Sequence, residues 1–156
     1  MSKNQIKISV IGLGYVGLPV AIAFSKANYT VFGYDLSHQR IKELKSNFDK
    51  TKEVSKKELY KSEIYFSSDS EILKKANFHI ITVPTPIDEF NNPDLSFINL
   101  ACKTLGKILK KNDIIVIEST VFPGVTEEIA VPILEKFSNL KVNRDFSVGY
   151  SPERIN

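Results

Sequence analysis

The hexapeptide Gly12-Leu13-Gly14-Tyr15-Val16-Gly17 constrains this chain more than any other feature. It follows an apolar-rich run at 6–11 and opens a segment, 16–26, rich in Ala, Val, Leu and Ile. Glycines spaced G-x-G-x-x-G between a strand and a helix have separate tasks. Gly12 permits the tight turn, Gly14 lets the backbone approach a pyrophosphate, and Gly17 lets the helix pack close to the strand. The helix N-terminus then offers N–H groups to phosphates. Asp35 ends the next strand-like segment, 30–34, and lies 18 residues after Gly17. A carboxylate there accepts hydrogen bonds from an adenosine ribose and repels a 2′-phosphate, which favours NAD. Arg40 pulls the other way, because an Arg nearby accommodates NADP. The competing reading is a glycine-rich turn with no ligand.

The rest of the chain keeps the same alternation. A helix is expected at 36–45 with Ser37 as a cap. Ser55 and Glu58 have capping-box spacing in a Lys-rich stretch at 46–62. A brief strand follows at 64–66, and Asp69 can cap a helix carrying Ile72, Leu73 and Ala76. The second half has strands at 78–83, 114–117 and 146–150. Leu95, Ile98, Cys102, Leu105 and Leu109 mark one face of a long helix. The apolar run 114–117 reads as a strand buried on both faces. A helix is expected at 124–137, kinked or shortened by Pro132. This order predicts an α/β domain with a doubly wound, mainly parallel six-stranded sheet of Rossmann type and helices on both faces. At 156 residues the chain forms one such domain.

Composition narrows the function classes. There are 21 basic and 18 acidic residues, a net charge of +3, too balanced for a nucleic-acid footprint. Almost all the basic residues are Lys; Arg occurs only at 40, 144 and 154, and Arg is the better candidate for a bidentate anion contact. No run of 18 apolar residues exists to span a membrane, and the first residues lack the pattern of a secretory signal. The single cysteine, Cys102, forms no internal disulfide and no cysteine-based metal site, which fits a cytoplasmic protein. It lies on the apolar stripe of its helix and reads as a packed core thiol. His38 and His79 lack metal-ligand spacing, so no metal site is expected.

Three further segments sit where strands end, the edge at which doubly wound sheets bind ligands. Val83-Pro84-Thr85-Pro86 is either a stiffened ligand loop or an ordinary rigid connection. Glu118-Ser119-Thr120 is either part of a site or a helix cap. Ser151-Pro152-Glu153-Arg154 offers a general base and an anion contact, or is a solvated turn.

Taken in order with Val10-Ile11-Gly12-Leu13-Gly14-Tyr15-Val16-Gly17-Leu18-Pro19, and with Glu118-Ser119-Thr120-Val121 and Gly149-Tyr150-Ser151-Pro152-Glu153-Arg154, these segments resemble the UDP-glucose/GDP-mannose dehydrogenase family. The likeness is greatest to its UDP-N-acetylhexosamine 6-dehydrogenases. It covers nearly the whole chain except 46–62. It implies oxidation of a sugar C6 alcohol to a carboxylate with two NAD, through an aldehyde and a cysteine thioester, for surface polysaccharide synthesis. It also implies NAD contacts from Gly12, Gly14, Tyr15, Val16, Gly17, Asp35, Arg40, Val83, Pro84, Thr85, Ser119 and Thr120. Thr120 is further implied to position the catalytic water, and Glu153 to act as base in thioester hydrolysis. Family enzymes are more than twice as long. Their nucleophilic Cys, an essential Lys and most of the UDP-sugar pocket lie beyond a central helix through which they dimerise. The chain is therefore expected to be an inactive N-terminal NAD-binding fragment, its parent a homo-oligomer with a UDP-sugar as partner. Two other readings stay open: a stand-alone nucleotide sensor, and a hydroxyacyl-CoA or 6-phosphogluconate type of dehydrogenase.

Overall fold

The computed structural model describes residues 5–87, 93–119 and 121–152. Six strands, β1 (Lys7–Ile11), β2 (Thr30–Tyr34), β3 (Ile64–Ser67), β4 (Phe78–Ile81), β5 (Ile114–Ile117) and β6 (Ser147–Tyr150), form one sheet in the order β3-β2-β1-β4-β5-β6. Every pairing is parallel. The chain order reverses between β1 and β4, and such a reversal opens a crevice at the carboxyl ends of the strands.

Each face of the sheet has its own core. Helices α1 (Gly17–Lys26), α2 (His38–Lys45) and α3 (Lys56–Lys61) place Leu18, Ala21, Ile41, Leu44 and Leu59 against Ile8, Val10, Val31 and Ile80. On the other face, α4 (Ser96–Gly106) and α5 (Val131–Ser138) place Ile98, Cys102, Leu105 and Leu134 against Ile11, Ile81, Ile115 and Ile117. Continuous apolar runs such as β1 follow from this, since both faces of a central strand are covered. Among the described residues no helix is long and apolar enough to cross a membrane.

Local signals act as their chemistry requires. Ser37 caps α2 by accepting from the Arg40 N–H, and Ser55 and Glu58 form a reciprocal capping box at α3. Lys26 adds to that box by donating to Glu58, and with Ser55 it holds the Glu58 carboxyl down at about 2.

Three expectations are corrected. The segment capped by Asp69 is a 3-10 helix, Ser70–Lys75, rather than an α-helix. The strand β5 is not equally buried on both faces: Ile115 and Ile117 are buried, whereas Ile114 and Val116 are half-buried. The helices of the second half cover only one face of β5, and the core on the opposite face contains nothing from β5 or β6. The helix before β6 begins with a π-helical turn, Val125–Ala130, and Pro132 lies in the first turn of α5 without breaking the chain's course. The Val131 N–H bonds to the Thr126 carbonyl, five residues back. The wider turn takes up the place where Pro132 has no N–H to give.

A buried polar chain joins the two halves. Ser9 Oγ lies 2.7 Å from His79 Nδ1, and His79 Nε2 lies 3.3 Å from an Asp113 carboxylate oxygen. All three residues are buried. A carboxylate only accepts, so Nε2 donates to it, and in the neutral ring Nδ1 accepts from the Ser9 hydroxyl.

Candidate functional site

At the end of β1 the chain turns sharply at Gly12, whose φ of 93° is the left-handed region that glycine enters without strain. The Gly12 N–H donates to the Tyr34 carbonyl at 2.9 Å, tying the turn to β2. Thr82, just past β4, shares its hydroxyl hydrogen between the carbonyls of Ile11 (3.1 Å) and Gly12 (2.7 Å). A Cβ on Gly17 would overlap the Gly12 carbonyl oxygen and the Thr82 hydroxyl, so α1 can start this close only with glycine there. At Gly14 a Cβ would meet nothing within 4 Å, which leaves a backbone cradle open to solvent. No side chain caps α1 at Val16; the Leu18 N–H is taken by the Gly14 carbonyl at 3.3 Å and Pro19 has no N–H, so a backbone donor to a ligand or water comes from before Leu18. An open cradle at a helix N-terminus fits the two phosphates of a dinucleotide.

The Asp35 carboxylate is fixed beside this turn. It accepts from the Leu13 N–H at 2.8 Å and from the Ser37 N–H at 2.9 Å. Arg40 grips Leu13 from below. Its Nε donates to the Leu13 carbonyl at 2.8 Å, its Nη1 lies 2.8 Å from Asp49 Oδ1, and its Nη2 reaches Thr51 Oγ1 at 3.4 Å. Both members of the Arg40–Asp49 pair are buried. Burial alone would raise the Asp49 carboxyl. Hydrogen bonds from Thr51, Val54 and Arg40 outweigh it and hold the group below the usual carboxylate range. Arg40 therefore stands behind the cleft, with its charge turned towards Asp49.

Two cavities meet at the turn, and both are lined by Gly14, Thr82, Val83 and Pro84. One, of about 350 Å³, runs between Leu13, Asp35 and Leu36 on one side and Phe97 and Leu100 on the other. Leu36, Phe97 and Leu100 are 55%, 41% and 45% exposed, so three large apolar side chains face a slot without filling it. That shape suits a flat apolar ring. The sequence reading missed these three, together with Thr82. Phe97 and Leu100 form a second apolar face on α4, beside the stripe of Ile98, Cys102 and Leu105, and that doubling was the available signal. The other cavity, of about 390 Å³, is lined by Tyr15, Val16, Lys50, Thr51, Thr85, Glu118 and Ser119. Two larger cavities, of about 510 and 730 Å³, lie along α3 and β3 at the outer edge of the sheet, away from the glycine turn.

The structure thus brings Gly12, Gly14, Tyr15, Val16, Asp35, Val83, Pro84, Thr85 and Ser119 onto one bent cleft, with Gly17 packed beneath it. Ser119 donates its hydroxyl to the Val83 carbonyl at 2.7 Å, so it joins the loops after β4 and β5 instead of capping a helix. Thr120, Glu153 and Arg154 lie outside the described residues. Cys102 is fully buried in the core, and burial pushes its thiol up to about 12, which excludes a nucleophilic thiolate at neutral pH. His38 is exposed and pairs with Ser68 at 2.7 Å. Among the described residues no group of three His, Cys, Asp or Glu could hold a metal ion.

Comparison with known proteins agrees with this geometry. The model of the NAD binding domain of the UDP-glucose/GDP-mannose dehydrogenase family matches residues 6–156. The chain is 54% identical to Protein CapL of Staphylococcus aureus, over all of this chain and 36% of that protein. It is 53% identical to the UDP-N-acetyl-D-glucosamine 6-dehydrogenase of Pseudomonas aeruginosa, over 98% of this chain and 36% of that one. The solved structure of the UDP-D-ManNAc dehydrogenase of Pyrococcus horikoshii superposes with a TM-score of 0.88 at 35% identity, covering 97% of this chain and 37% of that one. The chain therefore spans little more than a third of the length of these relatives.

Proposed function

We propose, because the chain belongs to the UDP-glucose/GDP-mannose dehydrogenase family, that it is the NAD-holding domain of a cytoplasmic 6-dehydrogenase acting on a UDP-N-acetylhexosamine. The bent cleft at the glycine turn is the observation that carries this reading. Bound NAD supplies a hydride acceptor, and the chain's own residues bind and orient it. Leu36, Phe97 and Leu100 hold the adenine. Asp35 is kept in place by the Leu13 and Ser37 N–H groups and accepts the ribose hydroxyls. Gly14 and the first turn of α1 face the phosphates. Val83, Pro84, Thr85 and Ser119 form the wall on the nicotinamide side. Thr120 positions water, and Glu153 takes up a proton in hydrolysis. The UDP-sugar is the partner of the whole protein, which is a homo-oligomer, and nucleic acid is not a partner. By itself the chain oxidises no UDP-sugar, because Cys102 is its one thiol and is locked in the core.

Calorimetric titration tests the reading. The unaltered chain should bind NAD about tenfold or more tightly than NADP, given the like charge of Asp35 and a 2′-phosphate. Gly14→Val should abolish NAD binding while shifting the unfolding free energy by no more than about 0.5 kcal/mol, because the added atoms enter open space. NADP binding as tight as NAD, or NAD binding unaffected by Gly14→Val, contradicts it.

A further inference from the structure

We propose that Lys50 is the phosphate-facing cation of the cofactor cleft, and that the buried Arg40–Asp49 pair is the post that presents it. The inference rests on the cofactor reading above and adds to it a residue from a loop outside the glycine turn. A dinucleotide carries two negative charges on its pyrophosphate, and backbone N–H groups alone neutralise them only in part. Among the described residues lining the two cavities, Lys50 is the one basic side chain. It shares its cavity with Gly14, Tyr15 and Val16, the residues at the start of α1. Arg40 is the obvious alternative from its position in the chain, but it is 3% exposed and its guanidinium is committed to Leu13, Asp49 and Thr51.

The loop between α2 and α3 is built to hold residue 50 still. One Asp49 oxygen accepts from the Thr51 N–H (3.0 Å) and the Thr51 hydroxyl (2.6 Å) and pairs with Arg40. The other accepts from the N–H groups of Glu53 (2.9 Å) and Val54 (3.0 Å). The backbone on both sides of Lys50 is therefore pinned, while Lys50 itself is exposed at the cavity wall. The same guanidinium that holds Asp49 also holds the Leu13 carbonyl inside the glycine turn. Cradle and cation are thus parts of one rigid unit, and Arg40 is a positioning residue acting through Lys50.

The test is a titration of the unaltered chain, Lys50→Gln and Lys50→Arg with NAD, ADP-ribose and adenosine. Lys50→Gln should weaken NAD and ADP-ribose by about tenfold, as for loss of one charge-assisted contact. It should leave adenosine unchanged and flatten the dependence of NAD affinity on salt. Lys50→Arg should keep both affinities. Arg40→Lys, which retains the charge but loses the fork, should weaken NAD to at least a similar degree, and its effect should be smaller in the Lys50→Gln background than alone, a non-additivity expected if both act through one contact. Unchanged NAD affinity in Lys50→Gln overturns the proposal. So does lowered stability with unchanged affinity, the result of an internal pairing with Glu118 across the cavity. Additive losses overturn the role of Arg40. If the unaltered chain binds neither NAD nor ADP-ribose, the cofactor reading itself fails and this inference falls with it.

Discussion

The two halves of the sheet treat their carboxyl ends differently. After β1 and β2 the polar groups are bound to one another: Asp35 and Arg40 hold the two backbone groups of Leu13, and Asp49 holds the following loop. After β4 and β5 neutral groups make links: the Ser119 hydroxyl donates to the Val83 carbonyl, and the Glu118 N–H donates to the Ile81 carbonyl at 2.8 Å. The first half is therefore a preformed receptor that needs no ligand to take its shape, whereas the second presents its groups on loops. A dinucleotide site gains affinity from a rigid end and turnover from a compliant one, since the cost of ordering is already met where binding begins.

Breaking the first half should cost the most. Arg40→Met leaves Asp49 buried and charged with only N–H and hydroxyl donors, and strips the Leu13 carbonyl of its partner. We expect a loss of about 3 kcal/mol in unfolding free energy, at the lower end for a broken buried pair because Asp49 keeps four other donors. Denaturant melts check it. The counterpart in the second half, Ser119→Ala, removes one hydrogen bond and should cost about 1 kcal/mol by the same measurement. A Ser119 effect as large as that of Arg40 would erase the contrast.

The smallest effect concerns acid and salt. In the second half Glu135 receives a hydrogen bond from Lys141 and another from the Val142 N–H, which hold its carboxyl below the ordinary value. A depressed folded pKa contributes stability above the unfolded value, and that contribution is lost as pH falls through the folded one. Glu135→Gln should therefore lower the thermal midpoint slightly at neutral pH and flatten its fall below about pH 4.5. Lys141 is exposed, so added salt should shrink the difference between the two proteins. Asp49 is depressed as well, but it is paired with a buried guanidinium, and its share of the acid limb should persist in salt.

What the sequence made legible follows the same division. Glycine spacing, the strand before it and Asp35 are local signals, and the structure has the turn, the parallel sheet and the helices α1, α2 and α3 where the pattern put them. The role of Arg40 was not legible, because its partner sits in a loop that carries no periodicity. The Asp49-x-Thr51 turn was a usable hint of a fixed loop. The apolar slot was hidden for another reason: Phe97 and Leu100 look like core residues until the opposite wall is known. The run 114–117 overstated burial, because hydrophobicity reports what can be covered and not how many helices are at hand to cover it.

The Ser9–His79–Asp113 chain has a consequence for how the two halves find each other. Each half is a strand–helix–strand repeat with apolar strands, and apolar strands slide past one another at little energetic penalty. The junction between the halves is the pairing of β1 with β4, where Ser9 stands opposite His79. A slip of one residue turns every side chain of β4 to the other face. His79 would then lie among Ile8, Val10 and Leu18, away from Asp113, with Ser9 and Asp113 stranded on the opposite side. Ser9 and His79 would be left without each other in the interior, and Asp113 would keep only the Lys110 N–H, a penalty that weighs against the slip. The polar wire thus works as a proofreader of assembly: among the ways two similar halves could zip together, it favours the one that pairs Ser9, His79 and Asp113, and that one aligns the glycine turn of β1 with Thr82 at the end of β4.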